Sequence, residues 1–288
     1  GLIMAQSQSF HLVWMPMDQS ATNSQAFVSW GEFLSQPHKA ALALVCLGVW
    51  LHAADSLIVA TMLPSMVAEI GGESLVAWLV ALYELGSIVA GAASALVTLR
   101  FGLKRPMAVA AALFGAGCLL SAVSPSMPLV LVGRFLQGVA GGGLVAMAFV
   151  AVGSLFPARY GPRALASISL FWGASAFLGP MIGAFFVEYT TWRWGFAFFA
   201  MQALGLALWI TLRPEVQPAA PEAKAGRFPG IRLATLAMAV LAVAYAGIDV
   251  QAMKTSLLLG LALILFLAFF WLDERMGAAR LLPKGAVI

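Results

Sequence analysis

The chain has 288 residues, of which 62% are hydrophobic and only 10% charged, with a mean hydropathy of +0.94. Ordinary soluble domains carry roughly 25% charged residues, so this composition excludes a water-soluble globular protein and predicts an all-α integral membrane protein. The net charge of +4 does not imply a nucleic-acid partner, because the basic residues sit in short loops between apolar runs and form no continuous patch.

In chain order, residues 1–39 are polar and irregular and read as a cytoplasmic N-terminal segment. Within it, 1–16 reads as a leader ahead of an expected native start at Met17, and FVSWGEFL is a candidate interfacial helix. Eight apolar runs follow at 40–66, 74–98, 107–124, 127–152, 164–188, 194–212, 233–249 and 255–272. Each is close to the roughly 17–25 residues that cross a hydrocarbon core as a helix. Cys46 and Cys118 fall inside these runs with no CxxC or metal-ligand spacing, so no metal site is expected and both thiols simply pack. The connection at 213–232 is rich in proline, alanine and charge. It reads as a flexible cytoplasmic linker between a six-helix bundle, 40–212, and a helix pair, 233–272. Residues 273–288 read as a cytoplasmic tail, the start of a second bundle.

If the spans alternate, Lys39, Arg100, Lys104, Arg105, Arg159, Arg163, Arg213, Lys224, Arg227, Arg232, Arg275, Arg280 and Lys284 fall on one side. Only Arg193 and Lys254 fall on the other, which is 13 against 2. The positive-inside rule then places both termini in the cytoplasm of a multi-pass inner (plasma) membrane protein.

The remaining basic residue, Arg134, lies within the fourth run. At 1.5 Å per residue, Arg134 is about 10 Å deep from the outer side, Glu84 about 15 Å deep, and Asp55 roughly 8 Å from the outer boundary of a ~30 Å core. These are the only carboxylates and the only guanidinium well inside the spans. Left unpaired, the three would cost on the order of 8–10 kcal/mol. Pairing or a shared wet cavity is therefore expected, with a net charge near −1 that one proton or one cationic ligand neutralises. A purely helix-locking role for the trio is the structural alternative. His52 lies one turn before Asp55 on the same helical face and reads as a packing or hydrogen-bonding neighbour. Trp50, Trp78, Phe171 and, as candidate cavity aromatics, Tyr83 and Trp172 stack either on an apolar cation or on lipid and neighbouring helices.

Small residues concentrate in two spans, at Gly138 to Gly143 and at Gly173, Gly179, Pro180 and Gly183, where backbones can approach closely and a helix can bend. With the arginine these residues form a pattern: LVLVGRFLQGVAGGG, carrying Arg134, Gln137, Gly138 and Gly142, then Gly173 and GPMIG, after DSLIVATMLP and before TTWRWGFAFF. The chain resembles the fourteen-helix drug:proton antiporters of the major facilitator superfamily over roughly residues 40–212. The resemblance implies that Arg134 serves proton coupling and that the Gly179–Pro180 element bends the fifth span. It further implies two six-helix bundles, with the spans at 233–249 and 255–272 as the extra pair between them. In the loop ALVTLRFGLKRP, Arg100, Gly102, Lys104 and Arg105 match the family's cytoplasmic gate motif. Leu99 stands at the acidic position of that motif and Ala95 at its leading glycine.

Three functions follow as expectations. The first is the N-terminal portion of a proton-coupled exporter of small hydrophobic or cationic substrates, with Asp55, Glu84 and Arg134 as the proton-coupling residues. The second is a half-size transporter that works as a homodimer; the third is a truncated membrane protein that does not transport. The partners expected are the substrate, protons, the lipid bilayer, and either a C-terminal half or a second copy. No cofactor is expected beyond the proton gradient as energy source. No enzyme chemistry is expected, since no nucleophile–base pair and no phosphate loop is present in the sequence.

Overall fold

The computed structural model describes residues 28–35, 38–213, 229–248, 250–275 and 281. A short helix α1 (Trp30–Ser35) precedes eight long ones: α2 (Lys39–Ile70), α3 (Val76–Phe101), α4 (Lys104–Ala122), α5 (Met127–Leu155), α6 (Gly161–Tyr189), α7 (Trp192–Leu212), α8 (Gly230–Ile248) and α9 (Ala252–Glu274). All eight are long and apolar enough to cross a membrane. They match the eight predicted runs to within a few residues at each end, and no strand occurs among the described residues. The N-terminal leader and most of the 213–232 linker and the 273–288 tail lie outside the described residues.

The helices end where their sequences require it. Gly71 and Gly102 follow α2 and α3 with φ of 65° and 74°, the left-handed half of the map that lets glycine end a helix cheaply. Pro128 and Pro162 sit in the first turns of α5 and α6, where a missing N–H breaks no helical bond. Two departures from the predicted boundaries matter below. Helix α8 starts at Gly230, so Arg232 is in a helix and not in the linker, and α9 runs to Glu274, so Asp273 is helical and not in the tail.

Helix α5 is the hub, packed on α2, α3 and α4; α2 also packs on α6 and α7, and α4 on α7. The α8–α9 pair forms a hairpin whose α8 leans on α3. The outer faces carry Val109, Leu170, Phe177, Met181, Leu208, Leu257 and Leu263, all exposed. A band of that size and apolarity is stable only in lipid or against other helices.

At one end of the bundle Arg193, from α7, donates to Glu69 Oε1 of α2 (Nη2, 2.9 Å) and to the carbonyls of Ala122 (2.9 Å) and Ser124 (2.6 Å) at the C-terminal end of α4. Trp192 Nε1 donates to Glu69 Oε2 at 2.7 Å. At the opposite end, Phe33 of α1 packs on Phe156 and Tyr160 in the α5–α6 connection, and Arg163 Nε donates to the carbonyl of Val28 at 2.8 Å.

Candidate functional site

The site is built by close helix approach. A Cβ on Gly138 would collide with the backbone carbonyl of Tyr83, and one on Gly142 with the backbone of Ser87, so α5 and α3 touch backbone to backbone. A Cβ on Gly133 would meet Ser121 and the carbonyl of Gly117, so α4 is equally near on the other flank. Between these contacts the Arg134 side chain has one place to go, inward.

There Arg134 Nη1 donates to Asp55 Oδ2 at 2.6 Å, to Gln137 Oε1 at 2.8 Å and to the Asp55 carbonyl at 3.4 Å. Its guanidinium lies over the Tyr83 ring, 4.0 Å from the centroid. Side-chain exposures are 1% for Arg134 and 0% for Asp55, so this is a fully buried ion pair. Gln137 Nε2 reaches Ser121 Oγ at 3.5 Å, extending the chain of polar groups into α4. Asp55 Oδ1 and Arg134 Nε have no hydrogen-bond partner among the described residues.

Tyr83 also joins Arg134 to His52. Its hydroxyl donates to the His52 carbonyl at 2.8 Å and lies 2.9 Å from His52 Nδ1, and the two rings stack at 5.2 Å. A phenol has one proton to give; committed to the carbonyl, it accepts from Nδ1–H. His52 is thus the hydrogen-bonding neighbour the sequence predicted.

His52 edges a cavity of about 740 Å³, and so does Glu84. Other walls come from Ser56 and Leu57 of α2, Ser87, Ile88 and Gly91 of α3, Gly142 and Val145 of α5, and Trp172 of α6. Leu236 of α8 and Phe266, Phe269 and Phe270 of α9 close it. Glu84 is exposed to this space with no ion-pair partner among the described residues. The predicted trio therefore splits into a buried neutral pair and a cavity carboxylate on the next helix, with the Tyr83–His52 link between them.

The remaining sequence candidates fall on both sides. Trp172 is a cavity wall and meets His52 edge-on at 6.2 Å. Tyr83 is not a wall: it is 1% exposed because its ring is turned onto Arg134. Trp50 donates to Gln202 at 3.0 Å and stacks on Phe199, which places it against α7, away from the cavity. Trp78 contacts Tyr245 of α8, and Phe171 is exposed outside the cavity lining.

Gly179 and Gly183 bring α6 onto α2, where a Cβ would lie 2.9 Å from the Ala54 carbonyl or 2.8 Å from that of Ile58. Pro180 sits between them inside the helix, where it removes one backbone bond. Gly173 differs from the predicted packing role: a Cβ there meets nothing within 4 Å. In the loop of Arg100, Gly102, Lys104 and Arg105, Gly102 makes the turn and Arg100 stacks on Phe101 at 5.3 Å. No carboxylate reaches Arg100, Lys104 or Arg105 among the described residues, in keeping with Leu99 at the acidic position.

Sequence reasoning missed the aromatic wall from α9 and the buried Arg232–Asp273 pair, 2.6 Å apart, which ties α8 to α9. For the pair there was a signal: opposite charges at matching ends of adjacent spans.

The sequence profile of the Major Facilitator Superfamily matches residues 45–282. The chain belongs to the major facilitator superfamily. A probable multidrug-efflux transporter of Mycobacterium tuberculosis is 32% identical over 261 residues, covering 89% of this chain and 55% of that protein. The vacuolar basic amino acid transporter 5 of Saccharomyces cerevisiae is 31% identical over 155 residues, covering 54% of this chain and 27% of its own. Among solved structures, the major facilitator proton:xylose symporter XylE bound to 6-bromo-6-deoxy-D-glucose superposes with a TM-score of 0.57 at 17% identity. That match spans 83% of this chain and 54% of XylE. An inward-open form of XylE from E. coli gives 0.51 at 18% identity, over 78% of this chain and 55% of that one. At such identity the likeness is one of fold. The chain spans about half the length of the mycobacterial relative and of XylE.

Proposed function

We propose that this chain is the proton-coupling portion of a secondary transporter that exports small hydrophobic cations across the inner (plasma) membrane, with both termini cytoplasmic. The observation that carries the reading is the buried Asp55–Arg134 pair set one side chain away from a cavity that holds Glu84. Proton at Asp55 and cation at Glu84 then compete for the single net negative charge of the Asp55–Arg134–Glu84 trio, and such negative coupling between two ligands is the thermodynamic requirement of exchange. Arg134 has fallback partners when Asp55 takes a proton: Gln137, the Asp55 carbonyl and the Tyr83 ring remain in place. Protonation at the carboxyl therefore does not strand the guanidinium, and Oδ1, which has no partner among the described residues, is the oxygen that accepts the proton. Gly179, Pro180 and Gly183 supply the close, bendable α6–α2 contact along which access to the cavity alternates. The mycobacterial relative's name as a probable multidrug-efflux transporter supports the export direction and drug-like substrates.

The test needs no turnover. Reconstituted chain is mixed with a lipophilic cation in weak buffer, and proton release is read with a pH dye. The expected result is release of up to one proton per cation bound between pH 5 and 9, absent in Asp55→Asn. Cation binding with no proton release at any pH in that range would refute the coupling.

A further inference from the structure

At the outer end of the bundle, in the proposed orientation, Arg193 commits all three of its guanidinium nitrogens. Nη1 donates to the carbonyls of Ala122 (2.9 Å) and Ser124 (2.6 Å), while Nη2 and Nε donate to Glu69 Oε1 (2.9 and 3.3 Å). Its Cζ lies over the Trp192 ring, 4.4 Å from the centroid. Trp192, 0% exposed, donates from Nε1 to Glu69 Oε2 at 2.7 Å, so both oxygens of that carboxylate are held. The side chains of Arg193 and Glu69 are 29% and 47% exposed, which puts this clasp of α2, α4 and α7 at the water boundary.

Beneath it, polar groups continue inward. The Ser124 N–H donates to the Ser121 carbonyl at 3.3 Å, Gln137 Nε2 reaches Ser121 Oγ at 3.5 Å, and Gln137 Oε1 accepts from Arg134 Nη1 at 2.8 Å. That same nitrogen donates to Asp55 Oδ2 at 2.6 Å. A column of hydrogen-bonding groups thus runs from the clasp to the ion pair, with Ser124, Ser121 and Gln137 all 0% exposed. Small residues make room for it where α4 meets α5: a Cβ on Gly117 would lie 2.9 Å from the Gly133 carbonyl and 3.0 Å from Gln137 Cγ. The described cavity lining takes no residue from α4 or α7, so column and cavity approach the pair from different sides. The mouth of the column is the C-terminal end of α4, where the helix dipole is negative and the last carbonyls lack helical partners. Such a mouth, left open, draws water and cations toward Asp55.

We propose that Glu69, Trp192 and Arg193 form an outer seal on this column. Arg193 occupies the carbonyls that would otherwise receive water, and its charge turns small cations, hydronium included, away from a second entrance to Asp55. Glu69 and Trp192 hold the guanidinium in that place. The proton is left to approach Asp55 from the cavity side, where its traffic can be linked to the ligand's. The purpose of the seal rests on the proposed function's placing the proton at Asp55.

The chain carries its own reporter. Cys118 is 0% exposed and lies one turn before Ser121 on the same face of α4, whereas Cys46, 2% exposed, lies in the cytoplasmic half of α2. The experiment exposes the 288-residue chain in lipid nanodiscs to silver ion, a small hydrophilic cation that binds thiols. After unfolding and alkylation, mass spectrometry reads the thiol left free at each cysteine. In the parent both should react slowly. Arg193→Gln should speed the loss of Cys118 about tenfold or more, with Cys46 unchanged. Arg193→Lys, which keeps a cation at the mouth, should stay within about threefold of the parent. Glu69→Gln, which leaves Arg193 its two carbonyls, should give an intermediate rise at Cys118, and it decides the question if Arg193→Gln folds poorly and exposes both thiols.

Fast reaction of Cys118 in the parent, or unchanged protection in both Arg193→Gln and Glu69→Gln, would overturn the seal; cation-driven proton release by the parent would then leave the proposed function intact. Arg193→Lys reacting as fast as Arg193→Gln would overturn the charge barrier. A selective rise at Cys118 with no proton release from the parent means that coupling at Asp55 fails while the seal stands as a barrier to water and cations.

Discussion

Replacing Arg134 by methionine removes one half of a pair whose members are 1% and 0% exposed. Asp55 then keeps a carboxylate with no counter-ion within reach, its Oδ1 already without a partner and its Oδ2 deprived of the 2.6 Å bond. Breaking a buried pair from one side costs about 3–5 kcal/mol, most of it the uncompensated charge. Loss of the guanidinium over Tyr83 at 4.0 Å adds about 1–2 kcal/mol at a desolvated site. The converse change, Asp55→Asn, leaves a neutral amide beside an arginine that still has Gln137 and Tyr83, so it should cost about 1.5–3 kcal/mol, the loss of one hydrogen bond to a charged group. The double variant should cost less than the sum of the two, because neither charge is then stranded. The assay is equilibrium unfolding of the four proteins in mixed micelles, titrated with denaturing detergent. Arg134→Met within about 0.5 kcal/mol of the parent, or strict additivity in the double variant, would show that water screens the pair and that burial does not set its energetics.

Three further substitutions test the packing. Gly138→Ala should destabilise by about 1–3 kcal/mol, since its methyl meets the Tyr83 backbone carbonyl, which cannot swing away; the same unfolding titration reads it. Gly173→Ala should be neutral or stabilising by up to ~1 kcal/mol, because nothing lies within 4 Å of the new carbon. Destabilisation there would mean that α6 packs against something at that point. Arg193→Ala removes donors to the carbonyls of Ala122 and Ser124 and to the half-exposed Glu69. Its cost should be about 1–3 kcal/mol, mostly from the two carbonyls, with faster hydrogen exchange at the ends of α2 and α4 as the check.

The fold was legible because one signal, the length of apolar runs, dominates a membrane chain. Depth arithmetic brought Asp55 and Arg134 to the same layer without any knowledge of which helices touch. It could not separate Glu84 from them, because depth fixes one coordinate and the angular position of a residue around its helix is set by packing. Tyr83 and Glu84 are adjacent in sequence, yet one faces Arg134 and the other the cavity, a consequence of the roughly 100° per residue of an α-helix. The aromatic face of α9 was illegible for a different reason. Its phenylalanines are as apolar as the lipid-facing leucines beside them, so only the docking of α8 on α3 shows which face looks inward.

The glycines of α5 do two tasks with one geometry. By letting α3 approach backbone to backbone at Gly138 and Gly142, they place the Tyr83 ring 4.0 Å from the Arg134 guanidinium and its hydroxyl on His52. The contact that lets the helices pack is therefore also the contact that sets the electrostatics of the ion pair. Glu84, which lines the cavity, is one residue away from Tyr83 on α3. Close packing thus leaves little slack in which α3 could move at Glu84 without moving the Tyr83 ring that lies on Arg134.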